Sequence, residues 1–385
     1  MPPSDSAAPN VPNAMLPLEA TIRFTRDVKA LAVAPTPDRP LAIAVSGGPD
    51  SMALLALAAT AFPGSVIAAT VDHRLRATSA DEAAMVADWC NAHAVPHATL
   101  RPEKPPAGAS IQAQARQARY ALLADWALAA DASALATAHH ADDQAETFLM
   151  RAARASGPAG LAGIRPRWEF FADRWAVATS LEEPSPRAGG GPEQQDAALA
   201  TGDPGSPPAR GHGARMGQGL PIIRPLLTWR RADLRTFAAD LPFVDDPSNT
   251  DPRHDRTHAR ALLASGQIDP LALAAAAAHC REVDAALSET IDWLWRTRSL
   301  PADTGEHRLD PTDLPRELRR RLARRAIGQV RRDNGVTEGK WSDAANIESL
   351  LDTLESGKKA TQAGVMASAS AGIWRFRPAP PRRSD

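Results

Sequence analysis

The run of residues best suited to chemistry is Ser-Gly-Gly-Pro-Asp-Ser at positions 46–51, between a short apolar stretch and a longer apolar stretch with helical character. A turn from strand to helix points successive backbone N–H groups and the positive end of the helix dipole at one place, which suits an anion. The six residues are Ser46, Gly47, Gly48, Pro49, Asp50 and Ser51. They predict a phosphate-binding loop, and the alternative is an ordinary turn in which glycine serves only the geometry.

Asp50 is the acid of this loop, and it cannot bind a phosphate directly because like charges repel. Its carboxylate is suited instead to hold a Mg²⁺ ion that in turn binds the phosphates. The loop is not a Walker A motif, since that motif needs a lysine and the sequence has none between Lys29 and Lys104.

A second run, 139–147, concentrates imidazoles and carboxylates after a short apolar stretch that predicts another strand. His139, His140, Asp142, Asp143 and Glu146 fall within eight residues. The carboxyl ends of parallel strands meet at one edge of a sheet, so we expect this run to lie near the phosphate loop. It could bind a metal, but its spacing does not match the zinc motif His-Glu-x-x-His.

Two further segments offer polar groups whose role the sequence leaves open. Asp72 closes the predicted strand that begins at Val66, where it either faces the ligand edge or belongs to a surface turn. Gln112, Arg116 and Arg119 share one face of a predicted helix, because they are four and then three residues apart. That face either binds phosphates through the two arginines or is a solvated helix surface.

Alternating strands and helices between about 41 and 156 predict an α/β fold, with a parallel sheet covered on both faces. We predict a disordered tail over 1–20, an α/β domain over 21–246 and a mainly helical region over 247–385. A stretch rich in Gly, Pro, Ser and Ala, 182–219, predicts a flexible insertion, with a mobile lid as the alternative. The segment 364–378 predicts a short hairpin.

Composition excludes several classes of protein. Lys and Arg total 44 against 45 Asp and Glu, a net charge of −1, so a globally basic nucleic-acid binder is excluded. The two cysteines, Cys90 and Cys280, leave a disulfide scaffold, a zinc ribbon and a Cys-ligated cluster unsupported. We expect a cytoplasmic protein, because neither a signal peptide nor a membrane span is evident.

The phosphate loop resembles the signature of N-type ATP pyrophosphatases, the PP-loop superfamily. The ordered series SGGPDS, VDHRLR, QAQARQARY, AHHADDQAETFLMR, SGPAGLAGI, IRPLL and DDPSNTD closely resembles the tRNA(Ile)-lysidine synthase family over about residues 41–264. The resemblance implies a Rossmann-like doubly wound sheet. It also implies ATP-dependent attachment of L-lysine to C2 of the wobble cytidine in a tRNA with a CAU anticodon, through an adenylated cytidine.

The resemblance also implies roles for individual residues. The implied catalytic group is Asp50, Asp143, Arg116 and Arg224, with Mg²⁺ held by Asp50 and Asp143. The implied ATP-binding group is the six-residue loop together with Asp72 and His140. The implied substrate-binding group is Glu146, Arg119, Arg256 and Arg260. Glu146 is expected at the lysine ammonium, and Asp143 is an alternative there or as a base.

The resemblance is incomplete after the Pro-Ser-Asn segment, where the family usually has an aromatic residue and then Arg-Asn-Arg-Ile-Arg. Only Arg256 and Arg260 keep their places in the stretch 253–260. Two rival functions are a tRNA thiolase on the same fold and a non-catalytic RNA-binding protein. The thiolase is disfavoured because both cysteines lie on predicted helices away from the loop motifs.

The C-terminal region contains a basic segment, 316–332, with eight arginines and only one acid, Glu317. We predict that this segment contacts tRNA phosphates, and the alternative is a solvated helix face. The expected partners are thus this tRNA and lysine, without a membrane, and a homodimer is allowed.

Overall fold

The computed structural model describes residues 16–74, 78–103, 111–171, 219–245, 255–339, 341–342 and 345–380, without the side chains of 111–113 and 255–256. The chain divides into two compact units, Met1–Ala278 and His279–Asp385. The predicted insertion, except Gly219, and the predicted domain boundary at 246–247 lie outside the described residues. The predicted tail lies outside them up to residue 15. Within the described ranges, no helix combines the length and apolar character needed to cross a membrane.

The first unit is built on a six-stranded sheet in the order β3-β2-β1-β4-β6-β5. Its strands are β1 (Leu41–Ala44), β2 (Val66–Val71), β3 (His97–Leu100), β4 (Ala134–Ala136), β5 (Arg167–Phe170) and β6 (Leu220–Ile223). All neighbours pair in parallel except β5, which is antiparallel to β6. The buried strands read as continuous apolar runs because helices cover both faces.

The helices of this unit are α1 (Leu18–Leu31), α2 (Pro49–Ala61), α3 (Ser79–Ala92), α4 (Ile111–Ala129), α5 (Ala141–Ala153), α6 (Pro158–Leu161), α7 (Arg231–Ala238) and α8 (Asp255–Ala264). Helices α1, α2, α3 and α7 pack into one buried apolar cluster with the sheet. Helix α4 contributes to a separate cluster with β5 and β6. This arrangement confirms the predicted doubly wound α/β fold.

The strand order creates a crevice where ligands bind. From β1 the chain proceeds to β2 on one side, and later it returns to place β4 on the other side. Such a reversal of strand order opens a crevice beyond the carboxyl ends of the two central strands. The phosphate loop follows β1 and the His/Asp run follows β4, so the topology brings the two motifs to one place.

The second unit combines helices with a five-stranded antiparallel sheet in the order β7-β8-β11-β10-β9. Its strands are β7 (Ser299–Leu300), β8 (His307–Leu309), β9 (Lys359–Gln362), β10 (Val365–Ser370) and β11 (Ile373–Pro378). Its helices are the end of α9 (Pro270–Arg298), then α10 (Arg316–Asp333) and α11 (Glu348–Glu355). The predicted hairpin corresponds to β10 and β11. Strands β7, β8 and β9 were missed because each has four residues or fewer.

Candidate active site

The phosphate loop is shaped by its own hydrogen bonds. Gly47 has φ +80°, a conformation that strains a residue with a side chain. Ser51 Oγ donates to the Gly48 carbonyl oxygen at 2.9 Å and accepts from the Ser46 backbone N–H at 3.2 Å. Ser51 is buried, whereas Ser46 is exposed. Ser51 therefore stabilises the loop. The Ser46 hydroxyl lies 3.2 Å from Ser51 Oγ and belongs to an exposed residue, so it can also reach a ligand.

Asp50 lies in the first turn of α2, directly after the loop. Its Oδ2 is 3.5 Å from Nε2 of His140, and Asp143 Oδ2 is also 3.5 Å from that nitrogen. His140 caps α5: its Nδ1 accepts the backbone N–H of Asp143 at 3.3 Å, and its own N–H donates to the Asp143 carboxylate at 3.1 Å. Because Nδ1 is an acceptor, the ring proton lies on Nε2 and faces both carboxylates.

The charges of this cluster support one another. Burial disfavours the charged carboxylate of Asp50, but His140, Arg231 and Arg235 outweigh it and lower the Asp50 pKa below its usual value. Burial likewise disfavours a protonated His140, but Asp50, Asp143 and Asp142 outweigh it and raise the His140 pKa. Asp50 is thus ionised at neutral pH, as a metal ligand must be.

The residues at this place fit a Mg²⁺ ion. Asp50 Oδ1 is buried and has no hydrogen-bond partner, an arrangement that costs stability unless a ligand satisfies the oxygen. Among the described residues, no group of three or more His, Cys, Asp and Glu side chains is arranged to hold a metal. That is expected of Mg²⁺ in a nucleotide site, since it uses one or two carboxylates and completes its shell with phosphates and water.

The structure adds two arginines that the sequence analysis missed. Asp142 Oδ2 accepts the backbone N–H of Arg231 at 2.7 Å and lies 3.4 Å from Nε of Arg230, which fixes the start of α7. Arg231 Nε is 4.0 Å from Asp50 Oδ2, so a guanidinium flanks the phosphate loop. The sequence signal was an Arg pair just before a helix, which is weak without knowing that α7 packs against α2.

Glu146 and Arg260, both predicted to bind substrate, contact each other. Glu146 is buried on α5, and its Oε1 accepts a hydrogen bond from Arg260 Nε on α8 at 2.8 Å. The contact shows that the Glu146 carboxylate already holds a cation. A buried carboxylate needs a cationic partner, so this ion pair also holds α8 against α5.

The remaining predicted arginines have other described contacts. Arg224 is buried after β6 and donates to the Arg165 carbonyl oxygen at 2.6 Å. The Arg116 guanidinium lies over the Tyr120 ring, 5.3 Å from its centre. Arg119 is exposed and close enough to His73 to contribute, after burial, to lowering the His73 pKa to about 4.

Asp72 is buried at the end of β2 and is fully engaged. Its Oδ1 accepts from Ser79 Oγ at 2.8 Å and from the Arg74 backbone N–H at 2.9 Å, and its Oδ2 accepts from Arg101 at 3.2 Å. These bonds tie the end of β2 to the start of α3. Asp72 therefore shapes the edge of the crevice, and its predicted contact with ATP stays a prediction.

Other predicted residues lie outside the described part of the chain. They are the side chains of Gln112 and Arg256 and the segment 246–251. Their roles stay predictions.

Gln144 and Arg151 connect α5 to the segment 160–164 through hydrogen bonds. Gln144 is buried on α5, donates to the Ala162 carbonyl oxygen at 3.2 Å and accepts the Ile164 N–H at 2.7 Å. Arg151 donates to the Gly160 carbonyl oxygen at 2.7 Å. A Cβ on Gly163 would come within 2.6 Å of the Gln144 amide, so only glycine fits there. The run after β4 and the SGPAGLAGI motif are therefore packed together, and α5 supplies the side chains that join them.

Comparison with known proteins agrees with this geometry. The family model ATP_bind_3, a PP-loop domain, matches residues 20–182 and implies ATP binding. The tRNA(Ile)-lysidine synthase of Novosphingobium aromaticivorans is 39% identical over 369 residues, covering 95% of this chain and 96% of that protein. That of Zymomonas mobilis is 38% identical over 367 residues, covering 94% of each chain. The chain therefore belongs to the tRNA(Ile)-lysidine synthase family, ligases that form a carbon–nitrogen bond.

Proposed function

We propose that this protein uses ATP to join L-lysine to C2 of the wobble cytidine in a CAU-anticodon tRNA(Ile). In the first step the cytidine O2 attacks the α-phosphate of ATP, and pyrophosphate leaves. In the second step the lysine ε-amine attacks C2, the C–O bond to the phosphate breaks, and AMP leaves while the amine loses its proton. The observation that best supports this proposal is that the phosphate loop and the Asp50–His140–Asp143 cluster meet at the ends of two adjacent strands.

The phosphate loop supports the first step. Its backbone N–H groups and the start of α2 offer positive charge where the phosphates of ATP would lie. The exposed Ser46 hydroxyl and the Arg231 guanidinium beside Asp50 add donors. A Mg²⁺ ion on Asp50, with Asp143 as the second proposed ligand, would supply positive charge to the phosphates during bond cleavage.

The second step needs a group that holds the lysine ammonium before it reacts. Glu146 is our first choice, because its buried carboxylate already binds a guanidinium. Asp143 is the alternative, since its carboxylate lies next to the phosphate loop and could also accept the proton. Arg116, Arg119, Arg224, Arg256 and Arg260 are proposed to position the adenylate and the tRNA.

A tRNA thiolase is the rival enzyme, and the cysteines argue against it. Cys90 is buried in α3, and burial raises its thiol pKa to about 12, which suppresses the reactive thiolate. Cys280 lies on α9, in the second unit. A non-catalytic RNA-binding protein is the other rival, but it has no use for an ionised aspartate with a buried oxygen that lacks a partner.

Trapping the intermediate tests the proposal. We expect label from ATP carrying ³²P in the α-phosphate to enter the CAU-anticodon tRNA when lysine is omitted, and to leave as AMP when lysine is added. Replacement of the wobble cytidine by uridine is the control and should prevent labelling. Absence of α-label from the tRNA, or release of the label by sulfide but not by lysine, would exclude the proposal. A homodimer and a cytoplasmic location stay predictions.

A further inference from the structure

The second unit presents one open face of its five-stranded sheet. The opposite face is buried against α10 and α11 through Leu309, Val365, Ala367, Trp374 and Phe376. Side chains alternate along a strand, so the residues between these point away from the helices. The sheet therefore has an apolar inner face and a separate outer face.

Strand pairing places basic residues in a row on this outer face. Arg308 lies opposite Arg375, Arg375 opposite Ser368, and Ser368 opposite Lys359. Neighbouring strands are about 4.8 Å apart, so this row across four strands extends over about 14 Å. A second row joins Arg377, Met366 and Thr361.

The outer face keeps an excess of positive charge. Glu306 accepts from Arg308 at 3.0 Å and from Arg375 at 2.5 Å, and Asp303 lies 3.9 Å from Arg375. Arg377 and Lys359 are exposed, and neither has an ion-pair partner within the described ranges. Four cations thus face two carboxylates.

Within the described ranges, ion pairs engage five of the eight arginines of the basic helix α10. Arg316 binds Glu348, Asp352 and Glu355, and Arg320 binds Glu348 and Glu317. Arg321 binds Asp284 and Glu317. On the sheet face, by comparison, the exposed Arg377 and Lys359 are not engaged by any described carboxylate, so their charge is open to a polyanion.

We infer that the outer face of this sheet binds the phosphate backbone of the tRNA substrate. The inference rests on the proposed function, which supplies the RNA. Guanidinium and ammonium groups bind phosphates, and the hydroxyls of Ser368 and Thr361 add donors between them. The face has no exposed aromatic residue for base stacking, so it positions the tRNA without reading its sequence.

Charge reversal on the full-length protein tests this inference. The variant Lys359→Glu/Arg377→Glu changes two exposed residues of the face. The control Lys29→Glu/Arg39→Glu makes the same change in charge, also at one lysine and one arginine, at exposed positions of the first unit. Binding of a CAU-anticodon tRNA transcript is measured between low and moderate salt, and thermal melting confirms that both variants are folded.

The face variant should weaken tRNA binding at least tenfold and lower the slope of log affinity against log salt by about two, one for each lost phosphate contact. The control should keep both values close to those of the wild type. Equal slopes in wild type and face variant, or an equal fall in the control, would overturn the inference. If the wild type binds this tRNA no better than an unrelated tRNA and incorporates no lysine, the proposed function fails instead.

Discussion

Asp50 shows at the scale of one residue how the site differs from the rest of the molecule. Its Oδ2 lies within 3.5 Å of His140 Nε2, while its Oδ1 is buried without a hydrogen-bond partner. An unsatisfied buried oxygen costs about 1–3 kcal/mol, more when it is charged. The fold tolerates this cost because His140, Arg231 and Arg235 lower the pKa of Asp50 and so keep its carboxylate ionised.

The variant Asp50→Asn tests this role. It keeps the size of the side chain but removes the charge, and we expect lysine incorporation to fall by about 100-fold or more. The variant Asp88→Asn, at an exposed position of α3, is the control and should retain activity. Steady-state rates of both variants decide, and an active Asp50→Asn enzyme would remove Asp50 from the mechanism.

His73 provides a test by pH. Burial first, and then Arg119, lowers its pKa to about 4, against a usual value near 6.5. Between pH 6.5 and 4, His73 is therefore protonated in the unfolded chain but neutral in the folded protein. The free energy of unfolding falls as the pH drops through this range. At pH 5 the expected loss from this residue is about 1–2 kcal/mol relative to pH 7.5.

Urea unfolding of His73→Gln at these two pH values measures this loss. The variant cannot be protonated there, so its free energy of unfolding should depend less on pH than that of the wild type. His258→Gln, at an exposed position of α8, should keep the wild-type dependence. Identical dependence in wild type and His73→Gln would mean that His73 is not held neutral.

At the scale of elements, part of the site could be predicted from the sequence. The loop after β1 and the run after β4 each follow an apolar strand, and parallel strands bring their carboxyl ends to one edge. Their meeting was therefore predictable. The approach of Arg231 to Asp50 was not, because it depends on how α7 packs against α2. The engagement of Asp72 by Ser79 and Arg101 likewise depends on where α3 and β3 lie.

The pairing of α5 with α8 leads to a prediction about lysine. The variant Glu146→Gln removes the carboxylate that holds Arg260, and we expect kcat/KM for lysine to fall about 10–100-fold, as for a charged partner lost from a buried site. Adenylation of tRNA without lysine should change far less. The two steps are measured separately with labelled lysine and with ATP labelled in the α-phosphate.

Glu169→Gln is the matched control. Glu169 also pairs with an arginine, Arg167, at 2.5 Å, but on β5. It should leave both steps unchanged. An equal loss of both steps in Glu146→Gln would show that Glu146 supports the fold of the site and does not bind lysine.

At the scale of the whole molecule, ion pairs within the protein engage arginines of the segment 316–332, which the sequence analysis predicts to contact tRNA. The sequence shows the density of arginine along the chain but not its partners, and several of those partners belong to α11, about 30 residues away. The prediction that these arginines contact tRNA stays untested, and within the described ranges five of the eight already hold a carboxylate. Strands β7, β8 and β9 were missed for a similar reason, since strands of two to four residues are recognised only by their pairing.

Arg321 tests the structural role of this network. Its side chain is 15% exposed and lies 2.7 Å from Asp284 and 2.8 Å from Glu317. Arg321→Ala should lower the free energy of unfolding of the second unit by about 1–3 kcal/mol, because two partly buried carboxylates lose their partner. Calorimetry should show a melting transition lowered by several degrees. Arg332→Ala, an exposed arginine of the same helix, should have little effect, and equal melting of both variants would contradict the structural role.

The central claim is that the site joins lysine to tRNA at the expense of ATP. The most direct measurement incubates the protein with ATP, Mg²⁺, radiolabelled lysine and a CAU-anticodon tRNA(Ile) transcript, followed by digestion to nucleosides. We predict one labelled nucleoside that replaces the wobble cytidine, with one AMP and one pyrophosphate formed for each lysine incorporated. Unlabelled nucleosides in the presence of an active control enzyme, or labelling that does not require ATP, would contradict the claim.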